Sequence, residues 1–484
     1  MNYRTVFHTV GNMLVLEGII LVIPMLIALV CGESQALKGF LTGILMAGFA
    51  GFLLTRIDKK NEIPLARDSM VIVALSWISI SIFGAVPYYV SGEIPIFVEA
   101  FFETMSGFTT TGITVFKDLE AVSKSLLFWR SFTVWLGGMG VLVFMLAVLP
   151  RKGGGKGSAV NLMRAESSGP QNDKIVPRTQ QSAVILYLIY AGLSLIDLIL
   201  LRLGGMNWFD AFLTMFGTAG TGGFNIHDES IAYYGSDYIT IVTTVFMFLF
   251  GINYSLFFMI LTGKAVSAFK NAELRTYVII AAASSLAIAA NITAKYGSFF
   301  RALINSSFAV TAMSSSTGYI QEDYDLWPGF SRIVLFFLMF FGGCSGSTAC
   351  GIKLSRIIIL AKTVRADVKR LLSPHSVNII SYSGKPLKAE TISGVHSFII
   401  MYLAVFVVSV ILVSINDFDM ITSISAVAAA INNVGCGFSL IGPSGTFSIF
   451  SRFSTIVLSF DMLAGRLEIF PILMPFYPRT WSRY

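Results

Sequence analysis

The sequence predicts an all-α polytopic membrane protein: a fourfold pseudo-repeat of span, pore half-helix, filter turn and span, preceded by an N-terminal helical hairpin. Three observations predict it. Hydrophobic residues make up 55% of the chain and charged residues 13%, against roughly 25% charged in a soluble domain, and the mean hydropathy is +0.75. Apolar runs long enough to cross ~30 Å of hydrocarbon recur along the chain, so much of its surface faces lipid. Finally, glycine turns rich in hydroxyls or amides recur after half-length apolar helices, at Thr110-Thr111-Gly112-Ile113, Thr221-Gly222-Gly223-Phe224, Ser316-Thr317-Gly318-Tyr319 and Asn433-Val434-Gly435-Cys436.

The opening hairpin (1–60) consists of apolar segments 11–31 and 37–56. No small-residue cleavage site follows the first, which therefore reads as a span and not as a signal peptide. Unit one (61–150) has a span near 69–91, a half-helix near 95–108, the Gly112 turn and a span near 124–149. Unit two (151–262) repeats this with 181–204, 207–219, Gly223 and 236–262. Unit three (263–362) has 275–295, 299–314, Gly318 and a long segment 328–361. Unit four (363–484) has 393–415, 419–432, Gly435 and 448–474. With the hairpin this makes about ten full spans; the half-helices fall short of the ~20 residues needed to cross. Pro95 suits a helix start, where its missing N–H costs nothing.

Loop charge orients the chain. Arg56 to Lys60, the basic residues of 151–178 and those of 353–388 mark the cytoplasmic face. That placement accounts for a pI near 9.1 without nucleic acid. Acidic residues flank the glycine turns: Asp118, Glu120, Asp228, Glu229, Glu322, Asp323, Asp325, Asp417 and Asp419. They form either an acidic outer vestibule that concentrates cations or ordinary solvated loops.

A dehydrated monovalent cation needs oxygen ligands, and irregular backbone at membrane depth supplies carbonyls only where it is buried or lines a water-filled path. Glycine permits the angles that aim carbonyls inward. Thr110, Thr111, Thr221, Ser316, Thr317 and Asn433 hold the turns or add oxygens, with Gly222 and Val434 completing them. Each half-helix directs the negative end of its dipole at the turn. A single such motif also reads as a helix C-cap; repetition in four units favours a filter.

The run Gly342-Gly343-Cys344-Ser345-Gly346-Ser347-Thr348-Ala349-Cys350-Gly351 interrupts the third unit's long segment. Glycine and small residues this dense break a helix in mid-membrane and make a mobile gate, or else permit close helix packing. Arg466, inside the last span, is costly there: it forms a barrier to cations beside the gate, or a structural pair with Glu468 or Asp461. Arg130 reads as structural. Lys152-Gly153-Gly154-Gly155-Lys156-Gly157-Ser158 lacks phosphate-loop spacing and any preceding strand. The four cysteines and four histidines form no metal-ligand pattern, the cysteines reading as small buried hydrophobes. No convergent cluster of His, Cys or carboxylates supports an enzyme. The rival class is a secondary transporter of an organic solute, built on inverted repeats with intramembrane acids.

On the filter turns in order, the Gly342–Thr348 run and Gly465-Arg466-Leu467-Glu468-Ile469-Phe470, the chain resembles the TrkH/TrkG/KtrB superfamily of potassium transporters over essentially its full length. The N-terminal hairpin is like the TrkH branch. The resemblance implies potassium uptake through one gated, channel-like pore per subunit of a homodimer. It also implies a cytoplasmic TrkA-like ring that binds the regulatory nucleotide, docks on 151–178 and 353–388, and leaves this chain without a cofactor, potassium being substrate. It assigns filter roles to Gly112, Gly223, Gly318 and Gly435, a gate role to 342–351 and a barrier role to Arg466. The chain departs from the branch at Cys436, where proline is frequent, and at Ile113; both bear on the choice between potassium and sodium.

Overall fold

The computed structural model describes residues 1–57, 65–140, 179–374 and 379–482. Helices α1 (Tyr3–Ile20) and α2 (Val22–Cys31) make one span, and α3 (Ser34–Thr55) returns against it. Small residues set that crossing: a Cβ on Gly11 would come within 2.7 Å of Leu54 Cβ, the close approach by which membrane helices associate. The opposite face of α3 exposes Leu41, Leu45, Phe49 and Phe52, an apolar stripe at helical spacing suited to lipid.

Each unit then follows the repeat. In unit one α4 (Ala66–Gly84) and α5 (Val86–Ser91) form the span, α6 (Phe97–Phe108) the half-helix and α7 (Lys124–Gly138) the return. Unit two has α8 (Thr179–Leu203), α9 (Trp208–Gly220), α10 (Asp237–Phe250) and α11 (Tyr254–Leu261), followed by the short α12 (Ala265–Phe269). Unit three has α13 (Ala272–Tyr296), α14 (Phe299–Ser314), α15 (Gly329–Phe340) and α16 (Leu354–Leu372). Unit four has α17 (Ala389–Val413), α18 (Met420–Ile431), α19 (Arg452–Arg466) and α20 (Phe470–Leu473). Two minimal sheets punctuate the chain: β1 (Phe341–Gly342) runs parallel to β2 (Ile352–Lys353), and β3 (Ser381–Tyr382) antiparallel to β4 (Lys385–Pro386).

The half-helices lie where the sequence places them. Pro95 stands two residues ahead of α6, whose N-cap is Ile96. Asn207 and Asp419 cap α9 and α18 with side-chain oxygens, satisfying donors a helix start leaves orphaned.

Among the described residues, fewer full spans are seen than the ten expected. Among the described residues six helices are long and apolar enough to cross a membrane, or seven if α10 and α11 count as one span bent by 93°. In units two, three and four the second helix is the one that changes. At the α10–α11 break Asn253 caps α11 by accepting the Ser255 N–H at 2.8 Å, and the Gly251 carbonyl accepts the Cys344 N–H at 2.9 Å. At the end of α19, Glu468 and Ile469 both adopt left-handed backbone, φ +57° and +67°. Hydropathy does not register these breaks, because Phe250, Ile252, Leu467 and Ile469 keep the run apolar. In unit one, 141–149 lies outside the described residues, as does the glycine-rich stretch 152–158.

Candidate functional site

The half-helices end in the same way. The N–H of Thr110, Thr221, Ser316 and Asn433 bonds to the carbonyl three residues back, and the next N–H bonds to the carbonyl five back: Thr111 to Ser106, Gly222 to Gly217, Thr317 to Ala312, Val434 to Ala429. This is the Schellman pattern of a helix C-terminus. The capping reading of a single motif is therefore correct as local geometry, with one difference. The left-handed cap residue is not glycine but Thr110, Thr221, Ser316 or Asn433, at φ +56°, +53°, +57° and +52°. Such angles in non-glycine residues cost about 1–3 kcal/mol each and persist where surrounding structure imposes them.

Two residues further on, Gly112, Gly223, Gly318 and Gly435 are again left-handed, at φ +81°, +45°, +74° and +92°. Their lack of a side chain is required by contact as well as by angle. A Cβ on Gly112 would collide with the carbonyl oxygen of Gly222, one on Gly223 with Thr317, one on Gly318 with Val434 and one on Gly435 with Thr111. Each turn thus abuts the next in the order one, two, three, four and back to one. Segments as far apart in sequence as Thr111 and Gly435 close a ring of backbone, with the C-terminal ends of all four half-helices directed at it.

Side chains tie the ring together. Asn433 Nδ2 donates to Thr111 Oγ1 at 2.8 Å and to the Met462 carbonyl at 2.8 Å. Units one and three share a hydroxyl pair, Thr109–Thr111 at 2.8 Å and Ser315–Thr317 at 2.7 Å. Arg130, 1% exposed, is structural as expected: Nε donates to Glu103 Oε1 at 2.6 Å and Nη1 to the Asn225 carbonyl at 2.9 Å. Glu103 in turn accepts from Thr114 Oγ1 at 3.0 Å and the Val115 N–H at 2.9 Å. One buried pair therefore braces the backbone just beyond the first and second turns.

The segment Gly342–Gly351 is an irregular, mostly buried loop, not close helix packing. It leaves β1, returns through β2 and reaches the turns where the half-helices end. The Cys350 N–H donates to Ser316 Oγ at 2.8 Å, and Cys350 Sγ lies 3.8 Å from Thr110 Oγ1. Its flank rests on the α10–α11 break: Thr348 Oγ1 donates to the Phe250 carbonyl at 3.1 Å and the Tyr254 N–H to the Gly346 carbonyl at 3.0 Å. These irregular backbone groups are thus satisfied within the protein.

Arg466 does not pair with Glu468 or Asp461. Glu468 bonds Arg356, and Asp461 accepts Ser409 Oγ at 2.6 Å. The guanidinium instead spans loop and ring. Nη1 donates to the Thr348 carbonyl at 3.0 Å and lies 3.1 Å from Cys350 Sγ and 3.4 Å from Thr110 Oγ1. Nη2 donates to the Gly138 carbonyl at 2.6 Å and also to Gly137. No carboxylate forms a salt bridge with Arg466 among the described residues. Gly137 and Gly465 pack alike, a Cβ on either meeting the last carbonyls of a half-helix, Phe108 and Ile431. Arg466 therefore holds in unit four the place that Gly138 holds in unit one.

Two of the acidic residues around the turns link neighbouring units. Asp228 accepts the Leu119 N–H at 3.1 Å and Asp325 the Ser439 N–H at 2.9 Å. The buried carboxylates that escaped the sequence reading include Glu17 and Asp197, both without a hydrogen-bond partner among the described residues. Cys344, Cys350 and Cys436 are buried, but Cys31 is exposed at the end of α2.

With the ring and loop in place, the chain can be set beside known proteins. A family model for TrkH, described as a cation transport protein, matches residues 35–482. This chain belongs to the TrkH family. It is 32% identical to the Trk system potassium uptake protein TrkH of Escherichia coli K12 over 490 residues, covering 99% of this chain and 100% of that one. It is 30% identical to TrkG of the same strain over 486 residues, covering 99% and 98%. The crystal structure of the potassium transporter TrkH from Vibrio parahaemolyticus superposes with a TM-score of 0.89 at 30% identity, covering all of both chains. Membership fixes the chain as a multi-pass cation transport protein of the inner membrane.

Proposed function

We propose that this TrkH-family chain takes up potassium ions across the cytoplasmic membrane through a gated, channel-like pore. Its filter is formed by Thr110–Gly112, Thr221–Gly223, Ser316–Gly318 and Asn433–Gly435. The observation that carries this reading is the closed ring, in which each glycine abuts the carbonyl before the next unit's glycine. Carbonyls held in such a ring replace the hydration shell of a cation, and four helix C-termini add negative potential. The loop Gly342–Gly351 is the gate, and Arg466, without a carboxylate partner, is the electrostatic barrier beside it. The membrane potential contributes about 2.3 kcal/mol per charge per 100 mV to inward movement.

The chain acts as a transporter rather than an enzyme and binds no cofactor of its own. Other Trk components complete the system: a second copy of this chain, and a cytoplasmic TrkA-like ring that binds nucleotide and docks on the basic surface of 353–388. The second expected docking segment, 151–178, lies outside the described residues. The solute-transporter rival calls for intramembrane acids around a common site. Among the described residues no three His, Cys, Asp or Glu side chains gather closely enough to hold an ion.

The test is rubidium and sodium uptake into cells lacking their own potassium systems, expressing this chain or its Gly318→Asp variant. Rubidium uptake that the variant loses, with little sodium entry, is the expected result. Equal sodium entry would retain the pore and remove the potassium assignment. Absence of cation flux with a TrkA-like partner co-expressed would overturn the pore.

A further inference from the structure

The gate loop is held from beneath by one carboxylate. Glu273 lies in the first turn of α13, where Asn271 caps the helix by accepting the N–H groups of Glu273 and Leu274 at 2.9 and 3.2 Å. Its side chain is buried. Oε1 accepts two backbone donors, the Ser345 N–H at 2.7 Å and the Ser355 N–H at 3.0 Å. Oε2 accepts the Tyr382 hydroxyl at 3.2 Å. Ser345 lies within the gate loop, Ser355 opens α16 on the loop's far side, and Tyr382 belongs to the β3–β4 hairpin beyond α16. A group that only accepts is what three converging donors need, and no cation forms a salt bridge with Glu273 among the described residues.

The hairpin carrying Tyr382 is otherwise a surface feature. Ser381, Ser383, Gly384, Lys385 and Pro386 are exposed, and Tyr382 alone turns inward, against Ile359 and Val395. A part reached from solvent is therefore one hydrogen bond away from the carboxylate that pins both flanks of the loop.

We propose that Glu273 is the positioning residue that couples the β3–β4 hairpin to the gate loop. With Tyr382 docked, the carboxylate holds Ser345 and Ser355 together and the loop stays against the filter. Drawing the hairpin outward withdraws the hydroxyl, admits water to the carboxylate and releases the loop. This rests on the reading of Gly342–Gly351 as the gate.

The test is single-channel recording of the full-length protein in planar bilayers. The variants are Glu273→Gln, Tyr382→Phe, their combination, and a deletion of Ser345–Ser347. Losing charge-assisted bonds in Glu273→Gln raises open probability about tenfold, and losing the hydroxyl in Tyr382→Phe about fivefold. The double variant matches Glu273→Gln alone, because Tyr382 acts through that carboxylate, and the rubidium-to-sodium ratio is unchanged in all. If Glu273→Gln fails to fold, Tyr382→Phe decides. Wild-type open probability in the Tyr382 variant, while the deletion opens the pore, would overturn the coupling and leave the gate standing. A double variant in which the two increases multiply would also overturn it. A deletion without effect on open probability would overturn the gate, and this proposal with it.

Discussion

Replacing Gly318 by alanine tests the ring more sharply than any larger substitution. Gly318 sits at φ +74°, where an L-residue costs about 1–2 kcal/mol. The added methyl would also fall on the Val434 carbonyl oxygen, with Cys436 N 3.5 Å away, and overlap of this kind typically costs about 1–3 kcal/mol. The obstacle is backbone, so no rotamer change relieves it. Only displacement of Val434 from its ring position does. A combined penalty of about 3 kcal/mol corresponds to a loss of about a hundredfold in rubidium flux. Gly297, at φ +66° with nothing within 4 Å of its Cβ position, supplies the control: Gly297→Ala carries the strain without the collision. The assay is rubidium flux into liposomes loaded with equal amounts of folded wild-type, Gly318→Ala and Gly297→Ala protein. If the Gly318 variant retains flux and selectivity within about twofold of the Gly297 control, the ring is not the path of the ion.

Further outcomes follow from other contacts. Arg466→Gln keeps a polar side chain but removes the charge and shortens it, so its amide falls short of Thr348, Gly137 and Gly138; basal rubidium leak rises about tenfold, and a leak equal to wild type would refute the barrier. Arg130→Met leaves Glu103 as an unpaired buried charge, a change worth about 3–5 kcal/mol; thermal unfolding in detergent falls sharply, and adding Glu103→Gln recovers part of the loss. At the N-terminal end of α18, the Thr422 hydroxyl foremost, with the Thr422 N–H, holds the Asp419 carboxyl below its usual range. A carboxyl depressed in the fold contributes stability above its unfolded value of about 3.9 and loses it as pH falls further. The melting temperature of wild type therefore drops more steeply below about pH 4 than that of Asp419→Asn, which keeps a good N-cap.

The half-helices, the glycine turns and the broken third segment were legible because each leaves a local mark: a short apolar run, a glycine at a fixed offset, a density of small residues. The fates of the second helices were not. Gly251 and Asn253 sit inside an apolar window, and what stabilises the break is a donor from Cys344, a residue of another unit. The partners of Arg466 were not legible for a related reason. Glu468 and Asp461 are near in sequence, yet the guanidinium reaches Gly138 and Thr348, and its apparent partner is taken by Arg356. The Glu103–Arg130 brace and Glu273 are likewise long-range pairings to which a one-dimensional pattern is blind.

The placement of Arg466 where the repeat has Gly138 shows what one continuous chain allows. A pore assembled from four identical subunits must repeat every wall residue four times. Four guanidiniums facing one axis would repel each other and any approaching cation together. With four unequal quadrants in one polypeptide, the proposed pore has one wall carrying the guanidinium, a second supplying the Gly137 and Gly138 carbonyls that it bonds, and a third contributing the loop. On the proposed reading of Arg466 as the barrier, broken symmetry is what would let a single positive charge act as an adjustable resistance in the conduction path instead of a plug.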